Sequence, residues 1–184
     1  MKKIVLILGF LFFSMTIADS NIFAQSEKEI LSSHHHILVS IQKCRLWLFE
    51  KTGGQHKLIR EHLAGTVKPS MKKYPLGLGY ITKIEFDPWW YPPTLSRAYF
   101  ARKGIFLPGC VPPGDKLNFM GKFKIHLSHS VPEYGSIYRI HGVRPGDEDC
   151  VGKRVSGGCI RMLNEEGIPL AKIVAIGTPV MIVR

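Results

Sequence analysis

The chain has 184 residues and a formal net charge of +11 at pH 7, with 25 Lys and Arg against 14 Asp and Glu. This length suits one domain with its own hydrophobic core, and the basic balance favours acidic partners such as nucleic acid, anionic lipid or an anionic cell-envelope polymer. The sequence contains no internal repeats, low-complexity tracts or linkers, which excludes a repeat architecture and predicts a single domain over residues 32–184.

Residues 1–24 are predicted to form a secretory signal peptide. A basic start, Met1–Lys3, precedes an apolar run over residues 4–13 that is too short to span a bilayer. Small residues follow, so we expect cleavage after Ala18 or Ala24. The protein is therefore expected to be secreted across the cytoplasmic membrane into the periplasm or cell envelope, with no stable membrane span after processing. There an envelope polymer is a better partner than nucleic acid; a retained membrane anchor is the alternative.

The pattern of β-branched and aromatic residues predicts short strands separated by turns. A first strand is expected over residues 37–49, and Gly53 and Gly54 form a turn into a second strand near residues 57–65. Further extended segments are expected at 80–86, 122–127, 137–140 and within 175–184. One helix is expected over residues 164–174, although Pro169 lies inside it. With twelve Pro and eighteen Gly, the chain predicts a mainly β, sandwich or barrel-like domain with one or two short helices.

Two short motifs each have two interpretations. The tract His34-His35-His36 has the composition of a metal-binding segment, but three histidines inside a chain are interpreted here as accidental. The run Trp89-Trp90-Tyr91 either stacks beside a substrate cleft or packs as an apolar corner next to prolines, and the sequence leaves both open.

The strongest chemical signal joins a histidine to a cysteine. His141 follows a predicted strand, and Cys159 follows Gly157 and Gly158 after a loop. A cysteine attacks as its thiolate, and a nearby imidazole can lower the thiol pKa and later donate a proton. The glycines allow backbone N–H groups to turn toward a developing oxyanion. The pattern predicts acyl transfer through a thioester, with a backbone carbonyl orienting the imidazole because no acidic residue is obviously placed to do so.

Three neighbours complete the predicted site as substrate-binding candidates. Arg161 lies two residues after the thiol and would share its face on an extended path, where it binds a substrate carboxylate or holds the loop by a salt bridge. Ser156 donates to the base or caps the loop, and the cap is the preferred interpretation. Gly142 directly follows the histidine.

Four cysteines in an exported chain suggest disulfides. If Cys159 stays a thiol, Cys44, Cys110 and Cys150 are left, and three cannot all pair. Cys110 and Cys150 both lie in Gly/Pro-rich loops and are the expected pair, whereas a bridge from Cys150 to Cys159 would be an oxidised inactive state.

These motifs resemble those of the L,D-transpeptidase catalytic domain, the YkuD-type fold of cell-wall enzymes. That family carries a His-Gly pair, a loop, and Ser-His-Gly-Cys followed by an apolar residue, Arg and another apolar residue. The chain has the same order in His141-Gly142 and in residues 156–162, but Gly157 stands where the family usually has His. Weaker matches occur in the family's order at residues 41–49, 88–93, 113–121 and 177–180.

The resemblance implies a reaction on peptidoglycan stem peptides. Cys159 would attack the carbonyl of the third, L-centred junction of a stem tetrapeptide, and the terminal D-Ala would leave. An amine from another stem or from a wall-anchored protein would then resolve the thioester. His141 would be the base, and the backbone N–H groups of Gly157, Gly158 and Cys159 would form the oxyanion hole. No cofactor and no metal are expected.

Three other functions compete with this one. An L,D-carboxypeptidase would use water instead of an amine to resolve the thioester, and the sequence does not decide between the two. A non-catalytic wall-binding module is suggested by the missing histidine at Gly157. A zinc hydrolase would use His126, His129 and His141, but the first two are three residues apart and would point to opposite faces of one strand.

Overall fold

The computed structural model describes residues 34–133, 135 and 138–184, so the predicted signal peptide lies outside the described residues. Within the described part, strands dominate and two short helices are present, which confirms the predicted mainly β fold with one or two helices. The elements are β1 (His35–Ser40), β2 (Arg45–Thr52), β3 (Gln55–Leu63), β4 (Thr66–Val67), β5 (Gly77–Phe86), α1 (Thr94–Ala101), β6 (Phe123–Leu127), β7 (Arg139–His141), a 3-10 helix (Glu148–Cys150), β8 (Arg154–Ser156), β9 (Ile160–Arg161), α2 (Asn164–Ile173) and β10 (Pro179–Val183). No helix among these residues has the length and apolar character needed to cross a membrane.

Eight of the strands form one sheet in the order β3-β2-β1-β10-β5-β6-β7-β9, and β4 and β8 form a separate pair. In the large sheet β1 pairs with β10, and β7 with β9, in parallel, and the other neighbours are antiparallel. One face carries the main core, which includes Ile37, Ile125, Ile140 and Ile160. The parallel β7–β9 pair places His141 directly beside Arg161, so the sheet itself brings the two halves of the predicted site together.

The predicted strand over residues 37–49 is wrong in one respect, because the chain reverses at residues 41–44 and forms β1 and β2. Cys44 takes the positive φ of this turn, +52°, and its buried sulfur lies 3.4 Å from Thr66 Oγ1. Ile41, the first residue of the turn, and Leu46, just after it, are both buried, so apolar character runs through the reversal. No glycine or proline marks the turn. By contrast, Gly53 and Gly54 form the predicted β2–β3 turn with φ of +58° and +81°.

The helix α2 agrees with the predicted segment and includes Pro169. Proline removes one internal hydrogen bond, so the helix depends on tertiary contacts. Leu170 is buried in the core, and Gly167 lies so close to the Phe123 ring that a Cβ would be 2.0 Å from its Cζ. At the start of the helix, Asn164 accepts a hydrogen bond from the Lys122 backbone N–H at 2.8 Å.

The long connection between β5 and β6 builds a second apolar cluster and contains α1, which the sequence analysis did not predict. Trp90, Leu107, Val111 and Met120 are buried in this cluster. The guanidinium of Arg97 in α1 holds the connection together by donating hydrogen bonds to the carbonyl oxygens of Pro92, Leu107 and Gly109. Of the predicted aromatic run, Trp90 packs inside, while Trp89 and Tyr91 are 47% and 67% exposed.

Candidate active site

Alternation along the strands separates the core from the candidate site. Ile125, Ile140 and Ile160 face the core, so the residues between them face the opposite side of the sheet. That side carries Lys124 and His126 of β6, Arg139 and His141 of β7, and Arg161 of β9. Cys159, which directly precedes β9, has the same parity as Arg161 and reaches this polar face.

A cleft of about 1000 Å³ opens over this polar face. Cys159 and His141 both line it, together with Arg161, Ser156 and Gly157. The connection between β5 and β6 supplies an apolar wall of Trp90, Phe100, Phe119 and Met120, and the segment after β4 supplies Lys68, Lys72 and Lys73. Five of the predicted site residues therefore meet in one cavity, whereas Gly142 and Gly158 are not among its lining residues.

His141 is held in one orientation. Its side chain is only 3% exposed, and its Nδ1 lies 2.6 Å from the carbonyl oxygen of Gly142. A carbonyl oxygen only accepts hydrogen bonds, so Nδ1 carries the proton and Nε2 of the neutral ring is the acceptor. Burial, followed by the positive charge of Arg161, lowers the pKa of His141 to about 3. The imidazole is therefore neutral at physiological pH, and it is oriented by a backbone carbonyl, as the sequence analysis expected.

Cys159 is partly exposed at the cleft and is a neutral thiol at rest. Burial raises the pKa of this thiol, while the nearby positive charges of Arg139 and Arg161 and a hydrogen bond with the Arg139 backbone act in the lowering direction. The neutral imidazole supplies no charge to stabilise a thiolate. The expected lowering of the thiol pKa by the histidine is therefore not found, and formation of a thiolate would require transfer of the proton to another group.

Arg139 is a part of the site that the sequence analysis missed. It lies on β7, two residues before His141. Burial lowers the pKa of Arg139, and its favourable electrostatic interactions with Cys159 and Glu85 act in the raising direction. The sequence could have indicated Arg139, because a residue two positions from His141 on one strand points to the same face. Its guanidinium therefore favours a negative charge on the Cys159 sulfur.

A second group of charges next to the histidine also escaped the sequence analysis. Glu85 of β5 lies 2.7 Å from Lys124 Nζ and 2.6 Å from His126 Nε2, and Lys124 also donates to the Trp89 carbonyl at 3.1 Å. Burial acts to raise the pKa of Glu85, but hydrogen bonds from Lys124, Lys83 and His126 lower it to about 2. Lys124 is only 7% exposed and lies opposite His141 in the strand register, so the network fixes a buried positive charge beside the base.

Gly142 and Ser156 have structural contacts that account for their positions. A Cβ on Gly142 would lie 2.0 Å from Asn164 Oδ1, so only glycine fits between the histidine and the start of α2. Ser156 is fully buried, and its Oγ accepts a hydrogen bond from the Gly158 N–H at 3.1 Å. This is the loop cap that the sequence analysis preferred for Ser156.

The two glycines before the thiol differ. Gly158 has φ of +140°, and a Cβ there would meet the ring of Tyr138 at 2.7 Å. Gly157 is exposed and lines the cleft, and a Cβ there would meet nothing within 4 Å. The position where the resemblance predicts a histidine thus opens onto free space, and the next position requires glycine.

The sequence of the chain matches a known protein family. Residues 34–182 match the YkuD family of L,D-transpeptidase catalytic domains. The chain belongs to this family. It is 33% identical over 130 residues to the probable L,D-transpeptidase YcfS of Escherichia coli K12, which covers 64% of this chain and 38% of YcfS. It is 32% identical over 126 residues to the probable L,D-transpeptidase ErfK/SrfK of the same strain, covering 62% and 37%. The match therefore spans under two fifths of each of these curated relatives.

Solved structures share the fold of this YkuD domain. Bd1075 of Bdellovibrio bacteriovorus aligns with a TM-score of 0.56 at 21% identity, covering 82% of this chain and 48% of Bd1075. L,D-transpeptidase 3 of Mycobacterium tuberculosis aligns with a TM-score of 0.54 at 14% identity, covering 82% and 61%. At such identities the similarity establishes the fold alone.

The three histidines of the alternative zinc hydrolase do not converge in this YkuD domain. His126 bonds to Glu85, whereas His129 packs on Gly79 and donates from Nε2 to the Gly77 carbonyl at 3.1 Å. In the described ranges, these residues do not belong to any group of three or more metal-ligating side chains with mutually close donor atoms. The geometry therefore gives the zinc hydrolase no support.

The cysteines of the domain are not bridged. Cys44, Cys110, Cys150 and Cys159 are all free thiols, so neither the expected Cys110–Cys150 pair nor the Cys150–Cys159 off-state is formed. Cys44 is buried in the β1–β2 turn, and Cys150 ends the 3-10 helix.

Proposed function

We propose that this protein is an exported cysteine acyltransferase of the cell envelope, an L,D-transpeptidase that acts on peptidoglycan stem peptides. The observation that carries the proposal is the shared cleft, in which a partly exposed thiol and a neutral imidazole with an accepting Nε2 lie on one face of the sheet. Membership of the YkuD family and the names of the curated relatives support the substrate class.

In the acylation step, the Cys159 sulfur attacks the carbonyl carbon of the third stem residue while its proton moves to His141 Nε2. The carbonyl π electrons move to oxygen, and the tetrahedral intermediate then collapses. The C–N bond to the terminal D-Ala breaks, and the imidazolium gives its proton to the leaving amine. A thioester on Cys159 and free D-Ala result.

In the second step, an acceptor amine from another stem or a wall-anchored protein attacks the thioester. His141 takes one amine proton, the new amide forms, and the proton returns to the Cys159 sulfur as it leaves. The low pKa of about 3 makes the imidazole a weak base at rest. Arg139 and Arg161 offset this by stabilising negative charge on the sulfur as the proton leaves.

The backbone around Cys159 is proposed to stabilise the oxyanion. Candidate donors are the N–H groups of Gly157, Gly158 and Cys159, each typically worth about 2.7–4 kcal/mol when aimed at the developing charge. The Gly158 N–H already donates to Ser156 Oγ, so it would have to divide its hydrogen bond. Gly157 is therefore a stronger candidate than Gly158.

Arg161 is the proposed anchor for a substrate carboxylate. It lines the cleft, its buried Nε has no hydrogen-bond partner, and it forms no salt bridge with any residue of the described ranges. A carboxylate would satisfy this donor. Lys68 and Lys72 at the rim add positive charge that suits an anionic stem peptide.

Product analysis tests the proposal. The protein is incubated with disaccharide-tetrapeptide fragments, and the products are identified by mass spectrometry. A transpeptidase yields cross-linked dimers and D-Ala, whereas a carboxypeptidase yields tripeptides and D-Ala. Cys159→Ala abolishes both products, and Cys110→Ala, which alters a thiol outside the cleft lining, leaves them unchanged.

The same assay separates the non-catalytic alternative. A wall-binding module would bind the fragments, release no D-Ala, and bind equally well as Cys159→Ala. The missing family histidine is tested with Gly157→His, because the open space beside Gly157 accepts a side chain. A change in the ratio of dimers to tripeptides in this variant would assign the position to acceptor choice.

A further inference from the structure

A second group of chemically competent side chains lies outside the cleft, at the start of the domain. His34, His35 and Glu50 each offer one ligand atom, and these atoms lie within 4.8 Å of one another. None of the three lines the cleft of Cys159 and His141. The group is therefore separate from the proposed acyltransferase site.

The sheet explains why the three side chains converge. His35 and Glu50 are directly opposite each other in the antiparallel β1–β2 pair, so their side chains share one face. His34 is tied to the same ladder, because its carbonyl accepts a hydrogen bond from the Lys51 N–H at 2.8 Å. Its ring turns toward the pair, with Nε2 3.4 Å from Glu50 Oε1 and the ring centroid 4.7 Å from that of His35. Backbone hydrogen bonds between β2 and the chain from His34 through β1 therefore hold all three residues in place.

The spacing is close to what a metal ion requires. Zinc binds imidazole nitrogen and carboxylate oxygen at about 2.0–2.2 Å, so two ligands of a tetrahedral ion lie about 3.3 Å apart. His34 Nε2 and Glu50 Oε1 are already 3.4 Å apart. The ligand atoms of the group lie at most 4.8 Å apart, so the most distant pair would have to move closer by at most about 1.5 Å. His34 is exposed and the other two are half-buried, so rotation of the side chains can supply that movement.

We propose that His34, His35 and Glu50 bind a divalent transition metal ion, with zinc as the best match, through two imidazole nitrogens and one carboxylate oxygen. Two histidines and one glutamate are a ligand set that zinc uses when its fourth position is occupied by water. The ion would connect the first described residue of the domain to β2 and stabilise the β1–β2 pair.

The sequence analysis interpreted the three histidines as accidental. In the structure His34 precedes β1 and so lies outside the alternation of side chains that begins at His35, which lets His34 and His35 approach the same point. His36 indeed points away, stacking on Phe49 and contacting the His56 ring. The third ligand is instead Glu50, which lies across the ladder from His35.

Zinc binding is measured on the full mature chain, purified without an affinity tag, in a Cys159→Ala background so that the cleft thiol cannot contribute. Titration calorimetry and elemental analysis after dialysis at about pH 7.5, above the usual histidine pKa of about 6.5, give affinity and stoichiometry. We expect one zinc per chain. His35→Ala and Glu50→Gln should each weaken binding at least about 10-fold, the lower end of what loss of even a supporting partner costs.

His56→Ala is the matched control. His56 lies on the neighbouring strand β3, and its ring contacts His36, which points away from the proposed zinc ligands. Its zinc affinity should equal that of the parent, and far-UV circular dichroism verifies that each variant is folded. The proposal would be overturned if zinc did not bind stoichiometrically. It would also be overturned if His35→Ala and Glu50→Gln bound zinc as tightly as the parent, or if His56→Ala lost as much affinity as they do.

Discussion

Replacing Gly158 by alanine tests whether the backbone beside the thiol requires a glycine. The residue has φ of +140°, where an L side chain is strained by about 1–3 kcal/mol. The new Cβ would also lie 2.7 Å from Cε1 of Tyr138, whose side chain is almost fully buried, and such overpacking costs about 1–3 kcal/mol. The free energy of unfolding should therefore fall by about 2–6 kcal/mol, which lowers the Tm of a domain of this size by about 4–24 °C.

Gly157→Ala is the matched control. Its Cβ would meet nothing within 4 Å, and Gly157 is not among the positive-φ glycines, so its Tm should change by less than the equivalent of about 0.5 kcal/mol. Thermal unfolding followed by circular dichroism measures both variants. Acylation of Cys159 by a stem tetrapeptide, measured by intact-protein mass spectrometry below both unfolding transitions, should slow at least about 10-fold in Gly158→Ala, because a misplaced oxyanion donor costs about 10²–10³-fold. Equal Tm values for Gly158→Ala and wild type, or equal losses in both glycine variants, would refute the reasoning.

Three further predictions follow from contacts around the base. Gly142→Ala should lower the free energy of unfolding by at least about 2 kcal/mol, because its Cβ would lie 2.0 Å from Asn164 Oδ1. Urea unfolding should show part of this loss recovered when Asn164→Ala is added, and simple additivity would argue against the contact. The folded protein holds the pKa of His141 at about 3 against about 6.5 in the unfolded chain, so stability is full above pH 6.5 and falls as the pH drops toward 3. At pH 4.5 the loss from this group is about 3 kcal/mol, and His141→Gln should flatten the pH dependence of Tm between pH 7 and 4.5; an unchanged slope would contradict the burial of a neutral imidazole. Lys124→Met should raise the pKa of Glu85 above its value of about 2, measured by carbon NMR of the carboxyl, whereas an unmoved pKa would mean that the other partners suffice.

The sequence predicted that His141 and Cys159 lie close together, and the structure places both in one cleft, because each residue belongs to a recognisable local motif. His141 ends a short strand and Cys159 follows a glycine pair, and both patterns are visible without a structure. The strand that carries Arg161 is only two residues long, yet its parallel pairing with β7 places Arg161 beside His141. Arg161 was predicted as a site residue from its charge and from its position two residues after the thiol.

Other features depend on contacts between distant segments. Cys44 takes a positive φ without being glycine, since its buried sulfur packs against Thr66, so the β1–β2 turn had no local signal. The helix α1 lacks a side-chain cap at its start and is supported by hydrogen bonds from Arg97 to distant carbonyls. The electrostatic interaction between Arg139 and Cys159 becomes visible only in the folded structure, which brings the two side chains together.

The most direct test of the central claim is to locate the covalent intermediate. The protein is mixed with a stem tetrapeptide, quenched in acid, digested and sequenced by mass spectrometry. We expect the mass of the tetrapeptide less D-Ala to appear on Cys159 as an acyl group, and His141→Gln to slow its formation without moving it to another residue. An adduct on a different side chain, or release of D-Ala by Cys159→Ala at the wild-type rate, would show that Cys159 is not the nucleophile.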